Sequence, residues 1–70
     1  MTLRYLVVGE PYHEATEILG IFSTPESARE AAETHEWQPH YDTWVRCYEI
    51  EEDATYESRE MRAEFEWKVP

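Results

Sequence analysis

The sequence predicts an α+β domain of ββαββ order: a four-stranded, mainly antiparallel sheet with one helix packed on one face. Three observations predict it. Two β-prone runs stand close together before residue 24. A helix-start signal, Ser23-Thr24-Pro25-Glu26, leads into alanines at helical spacing. Two further runs, Thr43–Glu51 and Glu60–Val69, alternate in the manner of strands.

The first strand spans Thr2–Val8. Leu3, Tyr5 and Val7 alternate with Arg4, Leu6 and Val8, so both faces carry apolar side chains and the strand belongs away from a sheet edge. Gly9 to Glu14 is rich in turn residues and is expected to be a loop. The second strand, Thr16–Ser23, sets Ile18, Gly20 and Phe22 against Leu19 and Ile21. It stands close enough to the first to pair as an antiparallel hairpin, and Gly20 marks a bulge or a close approach of the helix.

The helix starts in one of two ways. With Thr24 as N-cap, Pro25 takes the first helical position, where its missing N–H costs nothing. With Ser23 as N-cap, Glu26 completes a capping box. Ala28, Ala31, Ala32 and His35 form the face that meets the sheet, while Glu26, Glu30 and Glu33 line another. Arg29–Glu33 is a favourable i, i+4 pair, worth roughly 0.2–0.5 kcal/mol. Glu26–Glu30 and Glu30–Glu33 repel, so the stripe does not serve helix stability.

Pro39 stops any continuation of the helix, and Trp37, His40 and Tyr41 are expected to fold back over the core. The third strand, Thr43–Glu51, presents Trp44, Arg46, Tyr48 and Ile50 on one face and Val45, Cys47 and Glu49 on the other. Glu51 to Ser58 is acidic and irregular. The last strand sets Met61, Ala63, Phe65, Trp67 and Val69 against Arg62, Glu64, Glu66 and Lys68, the pattern of a half-buried edge strand. One helix covers one face of such a sheet. The second face is apolar enough to require a loop, a second protomer or a partner.

Seventy residues make one domain, residues 1–70, with a small core to which ten aromatics contribute heavily. Mean hydropathy is low, yet the apolar residues fall in periodic runs, which argues against disorder. The single cysteine, Cys47, forbids an internal disulfide and fits a reducing compartment, most simply a cytoplasm. No signal-peptide pattern and no apolar run of membrane-spanning length stands in the sequence, and the chain reads as complete and intracellular.

Sixteen acids against six bases give a net charge of −10. That excludes generic binding to phosphate backbones and to anionic membranes, and favours a basic partner. His13, His35, His40 and Cys47 are the candidate soft-metal ligands, but no paired ligand spacing accompanies them. Cys47, mid-strand, reads as a small buried hydrophobe. No nucleophile elbow or glycine-rich phosphate loop is present, and neither catalysis nor a cofactor is expected. The acids gather in three clusters: Glu26, Glu30, Glu33 and Glu36; Glu49, Glu51, Glu52 and Asp53; and Glu57, Glu60, Glu64 and Glu66. Held on a rigid helix and sheet, such carboxylates can imitate the phosphate spacing of a nucleic acid and compete for an Arg/Lys-lined groove. Trp37, Tyr41, Trp44, Tyr48 and Tyr56 can supply anchors. The candidate partner-binding set is Glu26, Glu30, Glu33, Glu36, Glu51, Glu52, Asp53, Trp37, Trp44 and Tyr48. Small soluble domains are also often acidic for solubility alone.

Two stretches, Leu19-Gly20-Ile21-Phe22-Ser23-Thr24-Pro25-Glu26-Ser27-Ala28 and Trp44-Val45-Arg46-Cys47-Tyr48-Glu49-Ile50-Glu51, resemble small bacteriophage proteins in which a hairpin leads through such a junction into a helix and then a strand. The resemblance covers roughly residues 3–52 and carries no catalytic residues. It implies a phage or prophage origin and a place in the host cytoplasm. By analogy it implies an inhibitor of host machinery, of anti-defence or anti-CRISPR type, acting on a basic nucleic-acid-handling protein or nucleoprotein complex. The alternative is a homodimeric structural or regulatory accessory protein with no mimicry.

Overall fold

A computed structural model describes residues 2–12, 15–37, 43–52 and 62–69. The elements follow in the order β1 (Leu3–Pro11), β2 (Glu17–Phe22), α1 (Pro25–Thr34), β3 (Thr43–Glu51) and β4 (Arg62–Lys68). The four strands form one antiparallel sheet in the order β2-β1-β3-β4, with α1 on one face. The ββαββ α+β reading therefore holds. β1 is central, as its two apolar faces require, and β4 is an edge. The predicted positions of His13, Glu14, Pro39, His40, Tyr41, Asp53, Tyr56, Glu57, Glu60 and Met61 lie outside the described residues.

α1 starts as the first capping alternative has it. Thr24 is extended, its Oγ1 accepts the Ser27 N–H at 3.1 Å, and Pro25 opens the helix. Ala28 and Ala32 are buried against the sheet. Their small side chains bring the helix close to Tyr5, Val7, Val45, Cys47 and Phe65, which supply the bulk of the core.

Three details differ from the sequence expectation, each for a physical reason. Gly9, Glu10 and Pro11 belong to β1 rather than to a loop, because β3 is long enough to pair them with Val45, Trp44 and Thr43. In β2 the register slips between Gly20 and Ile18, the bulge alternative read at Gly20, but the faces change with it: Ile18 pairs with Val8 and Ile21 with Leu6. Both isoleucines therefore share the face away from the helix, and Leu19, the extra residue, packs toward the core. In β4 a second slip sets Phe65 opposite Cys47 and Ala63 opposite Tyr48, leaving Glu64 as the extra residue. Ala63 thus leaves the face shared by Phe65, Trp67 and Val69, and Glu64 leaves the alternation that would have put it beside Glu66.

Trp37, two residues beyond the helix-capping His35, closes one end of the core. Its indole N–H donates to the Ala32 carbonyl at 2.9 Å, and its ring lies directly over Gly9. His35 supports it edge-on, with ring centroids 4.4 Å apart, while His35 Nε2 meets Glu17 Oε2 at 2.8 Å.

Cys47 is fully buried. Burial, with a smaller contribution from Glu64, pushes its thiol up to about 11, against a slight lowering by Arg29. That alone cuts the thiolate fraction at pH 8 roughly a hundredfold. Iodoacetamide at pH 8 should therefore label the folded chain only as fast as it unfolds. Labelling of the native protein at the rate of a free thiol would contradict this burial.

Candidate binding surfaces

The sheet separates two surfaces of different chemistry. On the helix side, Glu26, Glu30 and Glu33 stand exposed along α1, and Glu36 stands exposed just beyond it. None of the four forms an ion pair with a described residue. A shallow groove of about 420 Å³ runs along this stripe and is lined by Glu26, Arg29, Glu30, Glu33 and Thr34 among the described residues. Glu49 faces the same side, opposite Tyr5 across the β1–β3 ladder, and Glu51 follows two residues on, opposite Leu3.

The acids of the far face and the strand ends are used differently. Arg46 Nη1 donates to Glu10 Oε2 at 2.7 Å, and Arg46 Nε donates to Glu66 Oε2 at 2.8 Å. The Tyr48 hydroxyl donates to the other oxygen of Glu10 at 2.9 Å, and the Arg46 guanidinium lies 5.3 Å from the centre of the Trp44 ring. The hydrogen bond to Glu66 is the main reason the Arg46 proton is held more tightly than usual; burial alone opposes it. Burial first, and then the bond to Glu10, raise the Tyr48 phenol. Glu52 pairs with Arg4 at 3.7 Å, and Glu17 pairs with His35. Part of the second face is thus closed by its own polar network. Its apolar remainder is displaced toward the β2 edge, where Ile18 and Ile21 are 66% and 60% exposed.

Replacing Arg46 with alanine leaves Glu10 and Glu66 facing each other without a cation. The expected cost is about 1–2 kcal/mol, discounted for the exposure of Glu66, and denaturant titration would measure it. A change within about 0.3 kcal/mol would mean that the network contributes only to the surface.

The predicted partner-binding residues divide between these surfaces. Glu26, Glu30, Glu33 and Glu36 are on the helix side. Trp44 and Tyr48 are on the far face, so one flat partner cannot touch both groups. Glu52 sits in the turn after β3, already paired. Trp37 is committed to the core over Gly9, and Asp53 lies outside the described residues. Missed altogether was the Glu10–Arg46–Glu66 bridge. Alternation placed Arg46 with Trp44 and Tyr48, but the registers that bring up Glu10 and Glu66 are not readable from spacing.

A narrower cleft of about 200 Å³ lies where the first turn of α1 approaches β4, lined by Pro25, Glu26, Arg29, Glu64 and Phe65 among the described residues. The Arg29 guanidinium lies over the Phe65 ring, 4.7 Å from its centre, and Phe65 stacks on Trp67 with ring centroids 5.3 Å apart. Tyr5 belongs to the same core cluster as Phe65. Burial raises its phenol, and Glu49, Glu64 and Glu26 add to the rise.

Among the described residues no group of three or more His, Cys, Asp or Glu side chains is placed to hold a metal ion, and no helix is long and apolar enough to cross a membrane. Fold and surface together define a small acidic α+β domain in which the helix-side carboxylates of Glu26, Glu30, Glu33 and Glu36 form no ion pair with a described residue. The chain belongs to the family described as domain of unknown function DUF7336, which it matches over residues 5–62, from within β1 to the first residue of β4. No curated protein and no solved structure matches it.

Proposed function

We propose that this chain is a non-enzymatic binding protein of phage type, which docks its helix-side carboxylates on the basic groove of a host protein that handles nucleic acid and thereby inhibits it. One observation carries the reading: the acids are sorted. Glu10, Glu52 and Glu66 pair with arginines in the fold and Glu17 is bonded to His35, whereas Glu26, Glu30, Glu33 and Glu36 have no such partner among the described residues. A helix carrying adjacent like charges gives up stability to keep them. Arrayed on a rigid element, they offer a basic groove the charge pattern of a phosphate backbone and speed the encounter through long-range attraction. The resemblance of the Gly20–Ala28 junction to bacteriophage proteins supports a setting in the host cytoplasm and an anti-defence or anti-CRISPR role. A pull-down from host lysate at low and high salt, run beside a variant with the stripe reversed in charge, tests it. Capture of a nucleic-acid-handling complex that is lost with salt and lost with the reversal supports the reading. Equal capture by both proteins refutes it.

A second reading, the homodimeric accessory protein, is favoured by the exposure of Ile18 and Ile21 on an edge strand whose single charge, Glu17, is already paired. Light scattering at increasing concentration tests that reading. A monomer throughout ends it; a dimer abolished by Ile18→Lys supports it.

A further inference from the structure

The cleft between α1 and β4 carries the chemistry of one particular cation. We propose that it is a socket for the guanidinium of an arginine on the partner protein, and that Arg29 occupies the socket in the free chain. This deepens the acidic-docking reading and rests on it.

The floor is the Phe65 ring, backed by the parallel Trp67 ring. Glu26 and Glu64 line the walls of the cleft. Glu64 stands there because the slip in β4 makes it the extra residue beside Phe65 rather than the next outward-facing one. Tyr5 is only 9% exposed, and its hydroxyl has no hydrogen-bond partner among the described residues. No fully buried side-chain polar atom among the described residues is left unsatisfied. The Tyr5 oxygen is therefore not fully enclosed, and Tyr5 belongs to the same core cluster as Phe65.

A guanidinium suits this set better than an ammonium. It is planar, so one face can lie on Phe65 while its edge N–H groups point outward to carboxylates. It also sheds water more readily than a lysine head group. Arg29 displays the fit: its guanidinium already lies on the ring, yet it makes no ion pair with a described carboxylate. The ring face is taken while the acceptors around it stay unused. A partner arginine approaching from outside can use both, with Arg29 swinging away into solvent.

The test is an NMR titration of the full chain with a tri-arginine and a tri-lysine peptide of equal charge, at one low ionic strength. The tri-arginine peptide is expected to bind several-fold more tightly and to shift the ring signals of Tyr5 and Phe65. Arg29→Gln is expected to strengthen its binding roughly two- to fivefold, the reach of an exposed cation–π contact. Glu64→Gln is expected to erase most of the preference for arginine; Phe65→Leu would do the same if that variant folds. Equal binding of both peptides, with shifts confined to Glu30, Glu33 and Glu36, overturns the socket and leaves the acidic-docking reading standing. Weaker binding by Arg29→Gln also overturns it, since Arg29 would then be a contact rather than a placeholder. Failure of both peptides to bind overturns the socket and the docking reading together.

Discussion

Gly9→Ala is expected to destabilise the fold by about 1–3 kcal/mol, a large share of the stability of a 70-residue domain. A methyl group at this position would lie 2.6 Å and 2.9 Å from two carbons of the Trp37 ring. The backbone of Gly9 is not in the left-handed region, so the requirement for glycine is purely one of space. Trp37 cannot move aside cheaply. Its N–H is bonded to Ala32, and His35 stands against its edge. Trp37→Ala alone should cost about 3 kcal/mol through lost packing over the end of the core. The two changes should not add. Once the ring is gone, alanine at position 9 meets no atom closer than 3.6 Å, an ordinary contact, and restricts the unfolded chain, so Gly9→Ala in the Trp37→Ala background should be neutral or stabilising by up to about 1 kcal/mol. Denaturant titrations of the four proteins would measure this change of sign. Additive costs would show that Gly9 is needed for some reason other than the indole.

The same pair of residues shows where the sequence was legible and where it was not. Periodicity showed that β1 has two apolar faces, that α1 turns alanines inward, and that Thr43–Glu51 splits into a Trp44 face and a Val45 face. Those are local properties, written in the spacing of a single element. Gly9-Glu10-Pro11 read as turn punctuation because the pattern says nothing of a partner strand long enough to reach them. The slip in β4 was invisible for the same reason, and Gly20 flagged the slip in β2 without showing which residue would be the extra one. A strand announces its alternation, but an extra residue is defined only against the strand opposite. So Ala63 was assigned to the Phe65 face, and Glu64 to the face opposite. The acids were equally legible as a count and illegible as an arrangement. Composition gave no means of separating Glu66, which is bonded to Arg46, from Glu26, which is bonded to nothing described. The candidate surface emerges only once those pairings are removed from the total.

That sorting is what makes charge reversal of the helix stripe the most informative binding experiment. Glu26→Lys, Glu30→Lys and Glu33→Lys together raise the formal charge by two per position, from −10 to −4. The fold should tolerate them. All three side chains are exposed, and none is bonded to a described residue, so no internal contact is lost. Glu26→Lys opposes the helix dipole at the first turn by about 0.3–1 kcal/mol. The like-charge repulsions between positions 26 and 30 and between positions 30 and 33 keep their size, with ammonium groups in place of carboxylates. Stability measured beside binding separates the two effects. Against the basic partner, affinity should fall by at least about tenfold, or about 1.4 kcal/mol, through both a slower encounter and a faster release. The salt dependence should flatten at the same time, because fewer screened attractions remain. The isosteric set Glu26→Gln, Glu30→Gln and Glu33→Gln should produce an intermediate loss, since it removes attraction without adding repulsion. An unchanged affinity in the lysine variant would take the stripe out of the interface and leave its charge a matter of solubility. A loss that did not depend on salt would point instead to shape at the α1 surface, and to a partner chosen by contact rather than by charge.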